Sequence, residues 1–149
     1  MILMRQTTAP QEHEKEYTML LNRILARFTM FDDVFSEYRR TVSKVSRGRC
    51  LASENLESLS GYWQRNCLQY TRFLDCVNAV PVPASFQQFH QILTAELRQY
   101  AKQVTRAQQA INWAQNSCCL ATLQDAFTEM KHSKQRIDHA LENVSGVAM

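Results

Sequence analysis

The sequence predicts an all-α fold, an up-down-up-down bundle of four long, coiled-coil-like helices. The first observation is a shortage of turn residues, because the 149 residues include only three glycines and three prolines. Average usage would give about ten glycines and about seven prolines, and sheet-rich folds need turn residues throughout. The second observation is the recurrence of apolar residues at steps of three and four, which is typical of amphipathic helices. Short connections between long helices favour antiparallel neighbours.

The composition predicts a single helical-bundle domain over residues 1–149. Hydrophobic residues make up 45% of the chain and charged residues 21%, as in ordinary globular proteins. The net charge of +3 gives no reason to expect a nucleic-acid partner, and no apolar run is long enough to predict a membrane span. The apolar start Met1–Met4 is too short for a signal-peptide core. We therefore expect a cytoplasmic protein, with export as the alternative if an N-terminal signal has been removed.

The first helix is predicted over residues 9–47. Thr8 and Gln11 have the spacing of a capping box, and Pro10 is tolerated in a first helical turn. Beyond them, apolar residues alternate at steps of four and three, which is the pattern of a coiled-coil seam. The seam residues are Tyr17, Leu21, Ile24, Phe28, Phe31, Phe35, Tyr38, Val42 and Val45. Gly48 is predicted to end the helix.

The other helices are predicted over residues 53–78, 85–115 and 118–144. The segment Val80–Pro83 ends the second helix, since a residue before proline is pushed into an extended conformation. Ser85 and Gln88 predict a capping box for the third. The apolar stripe of the third helix, if continued, would turn Asp125 inward, so a turn near residues 115–119 is predicted before the fourth. A continuous third-to-fourth helix is the alternative.

The stretch Val80–His90, followed by Tyr100, Ala107 and Ala110–Ile111, resembles small bacterial helical-bundle proteins of unknown function. In those proteins a proline-led helix start precedes an aromatic-x-x-x-His step and a long helix containing alanines. The resemblance covers residues 80–111 only and implies no activity. It also implies export or a lipid anchor, which is common in such proteins. The start of the chain departs from that pattern, because its first residues predict neither a signal segment nor a lipobox-like motif.

Three polar residues, Asn66, His90 and Lys134, occupy seam positions that should be apolar. Polar residues in a seam often fix helix register and pairing at a cost in stability. The topology places His90 near the end of the bundle that holds the chain start. The side chains expected within reach of it are Tyr17, Tyr70 and His139. Two interpretations stay open, a buried histidine bonded to tyrosine or a ligand pocket lined by His90 and Tyr17, with Tyr70 and Asn66.

Cations and thiols are predicted to gather at the opposite end of the bundle. The cations are Arg39, Arg40, Lys44, Arg47 and Arg49. They form either a binding site for an anion or a partner, or a solvated helix end placed favourably for the helix dipole. The candidate redox thiols, which positive neighbours would make more acidic, are Cys50, Cys118 and Cys119. Reduced structural cysteines are the alternative, because the five cysteines show no C-x-x-C spacing.

No motif in the sequence predicts an enzyme, a cofactor or a metal site. A glycine-rich phosphate loop is missing, and the Glu129-x-x-His132 step occurs once and off the apolar seam. We expect a protein-interaction or structural module, binding an unknown protein or a second copy. The long first seam favours this interpretation, as do aromatics left beside the seams, among them Tyr62, Phe89 and Trp113. The alternatives are a small-ligand-binding bundle with a pocket near His90 and a secretion or flagellar chaperone-like adaptor.

Overall fold

A computed structural model describes the backbone of residues 2–46, 56–112, 114–115 and 117–148. Side chains are described within residues 11–44, 59–112, 114–115 and 117–144. The elements in chain order are α1 (Ile2–Ser46), α2 (Leu56–Asn78), a 3-10 turn (Ala84–Phe86), α3 (Gln87–Gln109), β1 (Ile111–Asn112), β2 (Ser117–Cys118) and α4 (Leu120–Ala148). The predicted all-α, four-helix class is confirmed. None of the described helices is long and apolar enough to cross a bilayer.

Contacts between side chains set the directions of the helices. In contacting pairs between α1 and α3, the residue numbers increase together, so these two helices are parallel. In pairs between α1 and α2, and between α3 and α4, the residue number increases along one helix as it decreases along the other, so these helices are antiparallel. The pairs are Glu14 with Ser85, Asp32 with Tyr100, Phe31 with Phe73, Phe35 with Trp63, Glu96 with Arg136 and Arg106 with Asp125. The bundle therefore runs up, down, up and down. We call the end where α2 stops and α3 begins the lower end.

The core follows the apolar stripes of the helices. On α1, the predicted seam is buried from Tyr17 to Phe35 and again at Val42, and Tyr38 is half-buried. The side chain of Val45 lies outside the described residues. The α1 stripe packs against aromatic rings of α2 and α3, including Trp63 and Tyr100. Each such side chain contributes about 1.5–3 kcal/mol through burial, so the stripes are the main source of stability.

The first helix begins earlier than predicted, at Ile2 rather than at residue 9. The expected Thr8 cap is therefore not the start of α1. The preceding residues include good helix formers such as methionine and leucine, which allows the helix to extend backward. Pro10 then lies inside α1, where it removes one backbone hydrogen bond. The predicted end near residue 47 and the predicted start of the second helix at residue 53 lie outside the described residues.

The connection between α3 and α4 differs from the predicted turn. The third helix ends at Gln109 rather than at residue 115, and α4 runs from Leu120 to Ala148 rather than over residues 118–144. A short antiparallel hairpin lies between them, with Asn112 opposite Ser117. The Asn112 side chain accepts a hydrogen bond from the backbone N–H of Gln115, and such a turn competes with helix. Ser117, within the predicted turn, therefore lies in strand β2, and α3 and α4 are separate helices.

The start of α3 also differs from the predicted capping box. Residues 84–86 form a 3-10 turn, and Phe86 stands at the N-cap position without a side-chain cap. The Ser85 hydroxyl instead donates to Glu14 of α1 over 2.8 Å. The capping box fails because the hydroxyl finds a carboxylate on a neighbouring helix, and that bond ties the lower ends of α1 and α3 together.

Candidate functional site

His90 lies buried at the lower end with both ring nitrogens hydrogen-bonded. Its Nε2 lies 3.2 Å from the carbonyl oxygen of Val77, and its Nδ1 lies 2.9 Å from the hydroxyl of Tyr17. A carbonyl only accepts, so Nε2 donates the ring proton and Nδ1 accepts the proton of the tyrosine. Burial lowers the pKa of His90 and raises the pKa of Tyr17 to about 12. The pair is therefore neutral, and neither imidazole nitrogen is free for a ligand.

Tyr70 and His139 do not join this pair. The Tyr70 hydroxyl donates to the backbone carbonyl of Leu97 over 2.8 Å, and its ring packs among core aromatics. His139 is exposed to solvent. The predicted set around His90 is therefore wrong in these two members, because the Tyr70 hydroxyl is satisfied by α3 and His139 points away from the core.

Asn66 lies far from His90. Its side-chain nitrogen donates to the hydroxyl of Tyr38 over 3.1 Å and to the backbone carbonyl of Tyr62 over 2.8 Å. Tyr38 and Tyr17 are separated by 21 residues of one helix, which corresponds to about 30 Å. A single ligand pocket lined by Asn66 and His90 together is therefore wrong, and each residue fixes a different level of the bundle.

The sequence interpretation missed a polar network in the middle of the bundle. Asp32 of α1 accepts a hydrogen bond of 2.8 Å from the hydroxyl of Tyr100, and its other carboxylate oxygen lies 3.3 Å from Nζ of Lys134. Burial, followed by the charge of Asp32, raises the pKa of Tyr100 well above its usual range. Lys134 therefore occupies a seam position of α4 from which its ammonium group pairs with Asp32. In the sequence, Lys134 indicates this network because it interrupts an apolar seam. Asp32 gives no such indication, because it lies next to the seam residue Phe31 rather than in the seam.

The predicted cation cluster is exposed where the structure describes it. Arg39, Arg40 and Lys44 are solvent-exposed, and Arg47 and Arg49 lie outside the described residues. The guanidinium of Arg39 lies 5.9 Å from the centre of the Phe127 ring. That contact is a cation–π interaction between α1 and α4. Lys44 lies in the last turn of α1, where a cation suits the helix dipole.

The predicted thiol site is described only in part. Cys118 is half-buried at the end of β2, Cys119 is exposed just before α4, and Cys50 lies outside the described residues. The Sγ of Cys119 lies 3.2 Å from the hydroxyl of Thr122. That hydrogen bond, together with backbone N–H groups of the first helical turn, lowers the pKa of the Cys119 thiol. Cys119 therefore stands where a helix N-terminus and a neighbouring hydroxyl favour the thiolate.

An open groove of about 590 Å³ lies at the lower end between α1, α3 and α4. Its lining residues are Glu14, Ser85, Phe86, Gln88, Phe89, Ile92, Ala140, Asn143 and Val144. Phe86, Phe89 and Ala140 are buried and form an apolar floor, whereas Ile92 is 40% exposed on the wall. The expectation that Phe89 is left over on the surface is wrong, because it packs into this floor. Tyr62 is 55% exposed elsewhere on α2, and Trp113 lies outside the described residues.

The groove is built from helical stripes that the sequence interpretation did not combine. The 3-10 turn and the start of α3 contribute positions 85, 86, 88, 89 and 92, and α4 contributes positions 140, 143 and 144. These are the steps of three and four that place side chains on one helix face. No group of three or more His, Cys, Asp or Glu side chains within the described residues is arranged to hold a metal ion.

The function must be inferred from these features of the chain itself. The resemblance of residues 80–111 to small bacterial helical-bundle proteins stays a prediction. Comparison of the chain with protein-family models, with curated proteins and with solved structures finds no match in any of the three.

Proposed function

We propose that this protein is a non-enzymatic interaction module that binds a segment of a partner protein in the groove between α1, α3 and α4. The observation that carries the proposal is the open groove itself, whose floor is apolar at Phe86, Phe89 and Ala140 and whose wall presents Ile92, a large apolar side chain that is 40% exposed. Apolar surface that a bundle leaves open and rims with polar side chains is typical of an interaction site.

The shape of the groove favours a protein segment over a small molecule. Small-molecule sites bury about 70–90% of the ligand surface in a concave pocket. Here four lining residues, Ser85, Gln88, Ile92 and Asn143, are exposed to solvent, so the groove lacks a roof. The lining side chains of α3 and α4 form two ridges along the groove. A helix of a partner protein can pack its own side chains into the space between two such ridges.

The chemistry at the lower end favours binding rather than catalysis. His90 is not part of the groove lining, and both of its nitrogens are engaged with Val77 and Tyr17. The carboxylate of Glu14 is the only charged group that lines the groove among the described residues, and it accepts a hydrogen bond from Ser85. Acid–base or nucleophilic catalysis commonly needs a second functional group beside the first, and no second titratable side chain lines the groove among the described residues.

The test compares how much partner protein co-purifies from the native host with two variants, each carrying a substitution of one exposed residue. Ile92→Glu places a charge on the groove wall, and Met30→Glu places the same charge at a 68% exposed site on α1 outside the groove. We expect the wild type and M30E to co-purify the same partner, and I92E to recover at least about tenfold less of it, as for a central interface position. Thermal unfolding of all three proteins checks that the fold is kept.

A photoreactive side chain at position 92 or at position 30 gives a second measurement. The partner should form a covalent adduct from position 92 only, since that position faces the groove. Equal recovery of the partner by I92E and the wild type, or equal labelling from both positions, would overturn the proposed function.

A further inference from the structure

The α3 side of the groove lies in a long stretch of sequence without charge. From Cys76 to Ala95 the chain contains no Asp, Glu, Lys or Arg, although charged residues make up 21% of the whole. Among the described residues, Glu14 is the only charged residue that lines the groove, and its carboxylate accepts a hydrogen bond from Ser85. Charged residues are depleted in the centre of protein interfaces. The composition of the groove is therefore that of an interface centre.

Above the groove, ion pairs between α3 and α4 neutralise charges that these helices carry along their contact. Arg136 donates from Nε to the carboxylate of Glu96 over 2.9 Å, and Arg106 pairs with Asp125. Each pair joins one residue of α3 to one residue of α4. These four charged residues therefore add no net charge to the face that continues from the groove.

Two other exposed apolar residues have basic surroundings instead. Tyr62 is 55% exposed, and the guanidinium of Arg65 lies 4.6 Å from the centre of its ring. Met30 is 68% exposed and lines a small cavity together with Arg27. Neither arginine forms an ion pair with another described residue. Two copies of the chain that met at either site would bring like charges together, which opposes association.

We infer that the groove binds a second copy of this chain, in a two-fold contact in which Ile92 of each copy enters the groove of the other. This inference rests on the proposed function and names its partner. A two-fold contact places one surface against itself, so that surface needs both a projection and a hollow. The groove of about 590 Å³ is the hollow. Ile92 on its wall is the projection, as the only large apolar side chain exposed on the described parts of α3 and α4.

The polar side chains at the rim of the groove also suit an identical surface. Gln88 and Asn143 line the groove and are exposed to solvent. An amide side chain carries both donors and an acceptor, so it can pair with the same amide of a second copy, whereas a charged group would meet its own sign. Gln88 and Ile92 are four residues apart and share one face of α3. The amide and the apolar projection therefore enter the contact together.

The test measures self-association of the full chain by sedimentation velocity over a wide range of concentration. Ile92→Ala removes the projection, and Ala140→Leu fills the hollow, because Ala140 lies on the groove floor. Met30→Ala is the matched control, since it shortens an exposed apolar side chain outside the groove. Thermal unfolding of each variant checks that the fold is kept.

We expect the wild type and M30A to dimerise with the same dissociation constant. The I92A and A140L variants should each dimerise at least about tenfold more weakly, as for central interface positions. An equimolar mixture of I92A and A140L should recover most of the wild-type affinity. In the mixed dimer, Ile92 of the A140L chain enters the open groove of the I92A chain, while the filled groove faces the shortened side chain.

Three outcomes would contradict this inference. A wild type that stays monomeric at every concentration excludes a second copy as the partner, whereas the proposed function still depends on the I92E comparison in the native host. A dimer that neither I92A nor A140L weakens shows that the copies meet at another surface. A dimer that both variants weaken, and that mixing does not restore, shows that Ile92 does not enter the groove of the other copy.

Discussion

His90 donates its ring proton to Val77 and accepts one from Tyr17, so a single imidazole connects α2, α3 and α1. Asn66 connects α2 to α1 in the same way through the hydroxyl of Tyr38. A buried polar group costs about 1–3 kcal/mol when it loses its partner, which makes each of these bonds selective for one arrangement of the helices. At the scale of single residues, the polar seam positions therefore join neighbouring helices through hydrogen bonds and an ion pair.

The lowered pKa of His90 predicts a pH dependence of stability. The folded state binds the proton less readily than the unfolded state, whose histidine has the ordinary pKa of 6.5. The unfolded chain therefore binds more protons as the pH falls through 6.5, and the stabilising contribution of neutral His90 is lost on the acid side. We expect the stability of the wild type relative to His90→Gln to decrease from pH 7.5 to pH 5.0 in urea unfolding.

The exposed His139 provides the control for that measurement. His139→Gln should show the same dependence of stability on pH as the wild type. An identical pH dependence for the wild type and H90Q would contradict the prediction.

The environment of Cys119 predicts a fast-reacting thiol. The Thr122 hydroxyl and the first backbone N–H groups of α4 lower its pKa, so more thiolate is present near neutral pH. We expect iodoacetamide to alkylate Cys119 faster than the exposed Cys76, as followed by peptide mass spectrometry. Thr122→Val should slow the reaction several-fold, and Thr128→Val, further along α4, should not. An unchanged rate in T122V would disprove the role of the hydroxyl.

The helices of the bundle are not joined equally. Among the described residues, the contact between α3 and α4 is the most extensive, and the contact between α1 and α4 is much less extensive. The α1–α4 contacts include the pairing of Asp32 with Lys134 and the cation–π contact of Arg39 with Phe127. At the lower end both helices contribute residues to the lining of the groove. At the scale of elements, α3 and α4 therefore form the closest helix pair, and α1 is held to α4 mainly by these side-chain contacts.

A double-mutant cycle tests the network that holds α1 against α3. Asp32→Asn and Tyr100→Phe remove the two sides of a 2.8 Å charge-assisted hydrogen bond. Such bonds contribute about 1.5–3 kcal/mol, and because the Asp32 side chain is 17% exposed we expect a coupling of about 1–2 kcal/mol in urea unfolding. The more exposed pair of Asp32 with Lys134 should couple by less than about 1 kcal/mol. Strict additivity of the D32N and Y100F effects would refute the network.

Aromatic rings of α1, α2 and α3 form a continuous column through the molecule. Phe35 is fully buried and contacts Trp63, Tyr70 and Tyr100, with ring centres 5.3, 6.3 and 6.2 Å away. The indole N–H of Trp63 is buried without a partner among the described residues. At the scale of the whole molecule, this column of rings therefore joins α1, α2 and α3.

The central position of Phe35 predicts a large effect of truncation. Phe35→Ala removes the ring that four other aromatics contact, and we expect a loss of about 3–5 kcal/mol in the free energy of unfolding. Phe35→Leu should cost clearly less, because most of the volume remains. Met30→Ala, at the exposed site on the same helix, should change stability by no more than about 0.5 kcal/mol. A loss below 1 kcal/mol for F35A would contradict the central role of the column.

Local sequence pattern was sufficient for the helical class and for most of the core. The α1 stripe from Tyr17 to Phe35 is buried as its spacing predicts, because the side of a helix that a residue occupies depends only on its position in the chain. The same spacing identified Asn66, His90 and Lys134 as polar positions on otherwise apolar faces. The separation of α3 from α4 followed from a change of phase, although the hairpin that separates them did not.

The tertiary structure decided which of those polar residues meet and where the groove lies. Asp32 pairs with Lys134, Tyr17 reaches His90 and Tyr70 does not, and the groove combines stripes from α3 and α4 with Glu14 of α1. These contacts depend on how far each helix is rotated and shifted along its neighbours. Periodicity defines the face of each helix separately, whereas packing of all the side chains between helices sets their relative rotation and shift.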